Sequence, residues 1–447
     1  MFMKKVLKTI GKIIGWILGG IVGILAILCI VTLCWAIGPW TTGHVTNALP
    51  QTPADFKPTV RLIAFTDPHN ENENVADIID TSYALFDNDP VYAGVDGIFG
   101  LGDFTSVGQE GDYVNYVNTL NEHVREETPC ISILGNHEFK ADDYAELYAK
   151  YFPHEANTIT DINGFTCIAF TGERGLTEWT FTPSSLKWLD SAVDAACESA
   201  NGKPVFVFTH PHPFGTVYGS SVWCDFQLNP IFNGHTNLVS FSGHSHFPMD
   251  DPRSINQASY TAVGCGASAR FELDINGIPG QHPDGYDIAN EMCVIEANDA
   301  GSVRIRGYDL NSRTYFCDYY IENINDKDAY PYTYKNMKAH DSKPVFPADA
   351  AAQAVRNENG EWVVTFTEAS TEFIVHEYKV TVKDDNNKKV YAKNYINNYY
   401  VIDDKNTSEF RIGADLLQSG KTYTLEVRAE SAYHKKSDVV KLSFTAQ

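Results

Sequence analysis

The 447-residue sequence has no organised cysteine framework. It contains 9 cysteines but no Cys-x-x-Cys pair and no repeated spacing. Two of them, Cys29 and Cys34, fall in an apolar N-terminal run, and the odd number left over implies no complete disulfide set. Cys130, Cys167 and Cys293 sit inside apolar runs, where a buried free thiol is expected. Positive charge is scarce too: Lys plus Arg number 34 against 57 Asp plus Glu, a formal net charge of −23. No local basic groove offsets this, so nucleic acid phosphates would be repelled and no nucleic acid partner is expected. The charge favours solubility and attracts cations. Disorder is excluded, because 43% hydrophobic and 20% charged residues describe a globular chain. At this length two or more folded units are expected.

Charge is missing altogether from residues 13–37, a run rich in Ile, Leu, Val and Gly. Crossing a bilayer as a helix takes roughly 20 apolar residues, whereas a cleavable signal has an apolar region of about 7–15. The run therefore reads as a transmembrane helix. Lys4, Lys5, Lys8 and Lys12 precede it, and no Lys, Arg, Asp or Glu follows it until Asp55. The positive-inside rule then puts residues 1–12 in the cytoplasm as a basic tail and everything beyond the span outside. The expected location is a single pass through the plasma membrane. Residues 38–58, with Pro39, Pro50, Pro53 and Pro58, read as a linker.

From residue 59 strands and helices alternate. Apolar runs at 60–65, 97–101, 130–134, 204–209 and 238–242 read as buried strands. Helical spacing covers 75–86, and Asp112 is placed as the N-cap of a helix reaching 127. A further helix is expected at 142–151, and a hairpin at 159–170 turns on Asn163-Gly164. Thr182-Pro183 supplies the cap and first residue of a helix to 199. Later strands are expected at 259–263, 292–297 and 302–309. Such repeated units make an α/β layered fold over 59–340, with its site at the carboxyl edge of the sheets.

Beyond about 340 the pattern changes to short alternating strands at 362–367, 377–382, 389–395, 409–412, 422–429 and 439–444, a β-sandwich over 341–447. Leu417-x-x-Gly420-x-x-Tyr423 has the spacing of a tyrosine corner, and Trp362 stands where an early strand supplies a core Trp. This tail resembles a fibronectin type III domain. That resemblance implies a spacer or adhesion unit, with cell-surface or wall contact as its partner.

Polar residues gather at the ends of the apolar runs: Asp67-x-His69, Gly102-Asp103, Gly135-Asn136-His137-Glu138, His210, and Gly243-His244-x-His246. Asp-x-His or Gly-Asp alone is an ordinary turn, but two imidazoles two residues apart at a strand end rarely serve a core. Carboxylate, imidazole and amide oxygen together suit Mn, Fe or Zn. The donors are too many for one tetrahedral zinc, and two metals sharing a carboxylate is the economical arrangement. In Thr209-His210-Pro211-His212-Pro213 either imidazole suits; His210 comes directly off the strand and is preferred, leaving His212 to touch substrate. Glu138 is either a hydrogen-bond acceptor behind the site or a surface residue. His44, His123, His154, His235, His282, His340, His376 and His434 read as surface histidines.

The ordered set resembles the calcineurin-like metallophosphoesterase superfamily over about residues 59–310. The resemblance implies a four-layer α/β/β/α sandwich with a dinuclear metal centre that hydrolyses phosphomonoesters or phosphodiesters. It implies that Asp67, His69, Asp103 and His246 bind one metal. Asp103 would bridge to a second, completed by Asn136, His210 and His244. His137 would be the catalytic histidine, assisting a hydroxide that bridges the metals and attacks phosphorus.

Three departures narrow the branch. Protein phosphatases carry Gly-Asp-x-x-Asp-Arg-Gly, but here Gly102-Asp103 runs into Phe104-Thr105-Ser106-Val107-Gly108, without the Asp that would orient the catalytic histidine. Purple acid phosphatases need a Tyr ligand three residues after the bridging Asp, where Ser106 stands. Secreted nucleotidases read Asn-His-Glu-Phe-Asp, and Lys140 replaces the last residue. A membrane-anchored extracytoplasmic phosphoesterase is the leading reading. The alternative is a catalytically idle cell-surface binding or adhesion protein that uses its fibronectin-like domain.

Overall fold

The computed structural model describes residues 43–177, 180–283, 285–402 and 406–447. The apolar span 13–37 lies outside the described residues, and among those described no helix is long and apolar enough to cross a membrane.

Two six-stranded sheets carry the first unit. Strands β1 (Val60–Phe65), β2 (Gly97–Gly100) and β3 (Cys130–Ser132) run parallel and are extended by antiparallel β14 (Glu291–Ala297), β15 (Val303–Asp309) and β16 (Thr314–Ile321). Their order is β16-β15-β14-β1-β2-β3. In the second sheet β5 (Phe165–Phe170), β6 (Val205–Thr209), β9 (Leu238–Ser242) and β11 (Thr261–Gly264) are parallel. Antiparallel β4 (Asn157–Ile162) and β10 (Ile255–Gln257) close its edges. Two small pairs lie outside the sheets: β7 (His212–Pro213) with β8 (Cys224–Asp225), and the hairpin β12 (Leu273–Ile275) with β13 (Ile278–Gln281).

The central strands are apolar on both faces because both faces are covered. Leu62 and Ala64 of β1 join Phe99, Phe208 and Phe241 in a layer between the sheets, while Ile63 and Phe65 pack with Ile78 and Ile79 of the helix Asn72–Phe86. Phe99 and Phe208 stack across the layer with ring centroids 3.9 Å apart. Each such ring contributes on the order of 1.5–3 kcal/mol by leaving water. One cation interrupts β1: buried Arg61 donates to Glu296 at 2.8 Å and Asp89 at 2.7 Å, so its charge is matched.

Local signals read from the sequence hold in places and shift in others. Thr182 caps the helix Pro183–Ser199 by accepting from the Ser185 amide at 3.3 Å. Asn163 and Gly164 both take positive φ, 54° and 79°, as a tight hairpin turn between β4 and β5 requires. Asp112 is not an N-cap. Gln109 takes that place, and Asp112 joins Glu110 in the first turn of Glu110–His123, where carboxylates oppose the helix dipole. Residues 43–58 are not a free tether either. Thr46 N donates to Asn336 Oδ1 at 2.8 Å, Thr52 Oγ1 to Asp318 Oδ1 at 3.0 Å, and Phe56 packs edge-on to Tyr320.

The C-terminal part is a β-sandwich. Strands β17 (Ala352–Arg356), β18 (Trp362–Thr367) and β21 (Thr407–Ile412) form one sheet. Strands β19 (Val375–Lys383), β20 (Lys389–Ile396), β22 (Thr422–Ser431) and β23 (Val440–Thr445) form the other, in the order β20-β19-β22-β23. Trp362, Phe366, Tyr378, Val380, Leu425 and Val427 fill the space between them. The Tyr423 hydroxyl accepts from the Gln418 amide at 2.9 Å, tying the corner that leads into β22.

This sandwich docks on the first unit through a polar cluster and two apolar ones. Ile396 and Tyr400 pack with Ala267, Phe271, Leu273 and Ala289, and Tyr433 with Tyr334. His376, read from sequence as a surface residue, is buried in this interface. Its Nε2–H donates to the Asp274 carbonyl at 3.2 Å, and its Nδ1 accepts from Arg253 at 3.4 Å. Nothing in a strand's alternation distinguishes a face that meets water from one that meets another domain.

Candidate metal centre

Five chain segments leave the carboxyl ends of parallel strands and converge. Asp67 follows β1, Asp103 follows β2, Asn136 and His137 follow β3, His210 follows β6, and His244 and His246 follow β9. The turns are tied to one another across the two sheets. Asp67 N donates to Gly102 O at 3.1 Å and His69 N to Asp103 O at 2.9 Å. His210 Nδ1 donates to Leu101 O at 2.7 Å, and His244 N to Asp67 Oδ2 at 2.8 Å.

Asp67, His69, Asp103 and His246 offer ligand atoms all within 4.8 Å of one another, and so do Asp103, His210 and His244. Asp103 belongs to both groups. Asn136 adds its amide to the second, with Oδ1 3.2 Å from His210 Nε2. All seven side chains are buried.

The centre is strained and incompletely satisfied, two features that mark function when they occur together. Asp67, His69, Asp103, His244 and His246 hold positive φ of 54°, 42°, 53°, 72° and 57°. For residues with a Cβ each such conformation costs on the order of 1–3 kcal/mol. Glycine is required beside them. A Cβ on Gly135 would run into Asp103 Oδ1 and His210 Nε2, and one on Gly243 into Thr66 Oγ1 and Asp67 Oδ2.

Two buried polar atoms, Asp67 Oδ1 and His69 Nδ1, have no hydrogen-bond partner. Asp67 Oδ1 lies 3.2 Å from His246 Nε2, close enough for attraction but without hydrogen-bond geometry. His69 Nε2 and His246 Nε2 face each other at 3.0 Å. Carboxylate and imidazole donors this close together suit a cation, so the donor set fits divalent metal ions.

The electrostatics agree. Burial raises the Asp67 and Asp103 carboxyls, but the imidazoles of His246 and His210 outweigh it and hold both well below the usual carboxylate range. Burial and His246 press His69 down to about 2, and burial depresses His244. His210 goes the other way: burial lowers it, but Asp103, 3.3 Å away, lifts it to about 9. The centre therefore combines two anions with two imidazoles held neutral, His69 and His244, and two whose charged form the carboxylates favour, His210 beside Asp103 and His246 beside Asp67.

His137 stands at the edge, its side chain 22% exposed. Its Nδ1–H donates to the Ser106 carbonyl at 2.5 Å, which leaves Nε2 facing the centre, 3.9 Å from Asp103 Oδ2. A backbone carbonyl thus takes up the orienting task for which the sequence offers no Asp. His212 is placed differently from its expected role on substrate. It is buried, with Nδ1 2.6 Å from Ser242 Oγ and Nε2 2.7 Å from Ser245 Oγ, so neither ring nitrogen is left for a ligand.

Glu138 is the residue that sequence reasoning undervalued. Fully buried, it accepts from the amides of Asp103 at 2.9 Å, Gly135 at 2.7 Å and Thr105 at 2.7 Å, and from Thr105 Oγ1 at 2.8 Å. It clamps the turns after β2 and β3 together. Burial and the Asp103 carboxylate push its own carboxyl up to about 7. Only its position directly after His137 hinted at this.

Residues 60–248 match the family model described as calcineurin-like phosphoesterase. No curated protein matches the chain. Among solved structures, a purple acid phosphatase, PPD1, from yellow lupin (Lupinus luteus) seeds is 13% identical over 59% of this chain and 53% of its own, at a TM-score of 0.41. A cold-active protein-tyrosine phosphatase of a psychrophilic Shewanella is 14% identical over 62% of this chain and 87% of its own, at 0.26. The chain spans about half the length of the lupin enzyme it matches. Likenesses this distant carry no argument about activity.

Proposed function

From residues 60–248, a calcineurin-like phosphoesterase domain and hence part of a metal-dependent phosphoesterase, we propose hydrolysis of phosphomonoesters or phosphodiesters at a dinuclear centre. The observation that carries this reading is the shared carboxylate, since Asp103 belongs to both groups of donor atoms. Asp67, His69, Asp103 and His246 would hold one ion; Asp103, Asn136, His210 and His244 would hold the other. Mn, Fe or Zn suits this mixture of oxygen and nitrogen donors. When bound, such ions supply Lewis acidity, lowering the pKa of water and offsetting charge on phosphoryl oxygens.

The chain's own groups orient and transfer protons. The Ser106 carbonyl fixes the His137 tautomer, so that Nε2 is the atom presented to the substrate. As an imidazolium, His137 can give its Nε2 proton to the departing alkoxide. Burial opposes that charged form, while Asp103 and the Ser106 carbonyl favour it. Glu138 keeps Asp103 and Gly135 in register, and its four accepted hydrogen bonds hold the turns that carry Asp103 and Asn136.

The test is turnover of p-nitrophenyl phosphate and its bis ester by the metal-loaded protein. His137→Ala should lower kcat by about 10²–10⁴ while leaving metal content unchanged. No turnover by the wild type over a broad ester panel would sink the reading. Activity that survives His137→Ala unchanged would remove that residue's role.

Anchoring in the plasma membrane, with the enzyme outside the cytoplasm, belongs to the same proposal. It is supported by the charge-free run 13–37 and the four lysines before it. The full chain should stay with membranes through alkaline carbonate washing, and a chain beginning at residue 43 should not. Release of the full chain by that wash counts against the anchor.

A further inference from the structure

A polar cavity of about 460 Å³ opens directly beside His69, and Arg270 is the one cation in its wall among the described residues. Other arginines of this unit are tightly engaged. Arg61 is 2.7 Å from both Asp89 and Glu296, and Arg253 is 2.6 Å from Asp251. Arg270 has only a loose neighbour, Glu272, with Nε 3.8 Å from Oε1, and about a third of its side chain is exposed. Its backbone is nevertheless fixed to the metal centre. The Arg270 carbonyl accepts from His246 Nδ1 at 3.1 Å, and the Glu272 amide donates to the His246 carbonyl at 2.9 Å. Between them Phe271 is anchored against Tyr400 of the sandwich, with ring centroids 5.4 Å apart. Its side chain lines the same cavity as His69, on the side of the centre that this ligand occupies.

A second feature of the cavity points to a ligand. Asn290 lines it, is 5% exposed, and its Oδ1 has no hydrogen-bond partner. Tyr286, stacked on His282 at 4.5 Å, provides a flat wall. Glu71 and Asp287 also line the cavity, so among the described residues Arg270 is the one positive charge there to attract an oxyanion.

Building on the phosphoesterase reading, we propose that Arg270 binds phosphate oxygens of the substrate and that the adjoining cavity takes the ester's polar, hydroxyl-bearing organic group, with Asn290 Oδ1 accepting from one hydroxyl. A guanidinium suits this task because its planar fork meets two phosphate oxygens at once. Substitution of the side chain leaves the Arg270 carbonyl free to hold His246.

The primary measurement is calorimetric binding of inorganic phosphate to the metal-loaded protein, with KM measured in parallel for phosphate esters. Arg270→Ala should weaken phosphate binding and raise KM by about 10–100-fold, the scale of lost charge-assisted hydrogen bonds. It should lower kcat less than it raises KM and leave metal content unchanged, and Arg270→Lys should recover part of the loss. Phosphate affinity and KM within twofold of wild type in Arg270→Ala overturn the assignment. Phosphate binding that depends on Arg270, in a protein that hydrolyses no ester, supports the assignment and defeats only the phosphoesterase reading. For the cavity, a sugar phosphate series lacking single hydroxyls should show one position whose loss lowers kcat/KM at least about tenfold. A flat series removes that part of the proposal.

Discussion

The buried polar cluster where the sandwich docks and the one at the metal centre differ in one telling respect. Around Asp274 and Arg253, where the sandwich docks, the polar groups pair off. Arg253 donates to both oxygens of Asp251 at 2.8 and 2.6 Å, and Tyr399 donates to the same carboxylate at 3.3 Å. Asp274 accepts from Tyr218, from the Gly277 amide and from His376. Apart from Gly277, which the β12–β13 hairpin turn holds at φ 73°, none of these residues takes positive φ. Around Asp103 five residues are held in left-handed backbone, two polar atoms lack partners, and two imidazole nitrogens face each other at 3.0 Å. A satisfied network joins two parts of a fold. An unsatisfied and strained one is kept for something that arrives later, and here the donor set says what arrives.

Glu138→Gln is the sharper way to probe the metal centre. An amide cannot accept everywhere the carboxylate does, and its NH₂ would face the amides of Asp103, Gly135 or Thr105. Loss of a group that orients metal ligands typically costs 10–100-fold in metal affinity. The variant should therefore bind Mn about 10–100-fold more weakly, read by titration calorimetry, with its metal-free melting temperature falling far less than its metal-loaded one. Unchanged metal affinity would mean that Glu138 only ties loops together, and the contrast between the two clusters would blur.

How far the sequence discloses each cluster follows from the same contrast. The metal centre was legible because its donors sit at strand ends beside glycines, where turn geometry leaves a local imprint: Gly102-Asp103, Gly135-Asn136, Gly243-His244. The covered faces of β1, β2, β6 and β9 were legible as unbroken apolar runs. The contact between His376 and Asp274 left no such imprint, since the two residues lie about a hundred positions apart in the chain. Asp112 misled because a helical first turn and an N-cap favour the same residue types. Arg270 was invisible for a different reason. What matters is the direction of its charge and its backbone carbonyl, and neither is a property of the residue's name.

The interface cluster makes the smaller prediction, and pH reads it. Burial raises the Asp274 carboxyl, but the hydrogen bond and charge of His376 overcome it and set it below the ordinary carboxylate range. A carboxyl depressed on folding stabilises the protein above its unfolded pKa of about 3.9, and that contribution is lost as pH falls through the lower folded value. At neutral pH Asp274→Asn should cost about 1–2 kcal/mol, because one accepting oxygen becomes a donor facing Tyr218, Gly277 or His376. Below about pH 4 wild type sheds its own advantage, so the gap in melting temperature between the two proteins should narrow. The interface has no role in catalysis on this reading, so kcat should stay within about twofold of wild type at a temperature where both are folded, since substitutions distant from one another behave almost independently. A gap that widens in acid would reverse the sign assigned to Asp274. A loss of kcat tracking the substitution would show that the docking cluster feeds the metal centre through Phe271 and Tyr400, and the division between a satisfied joint and an expectant site would have to be given up.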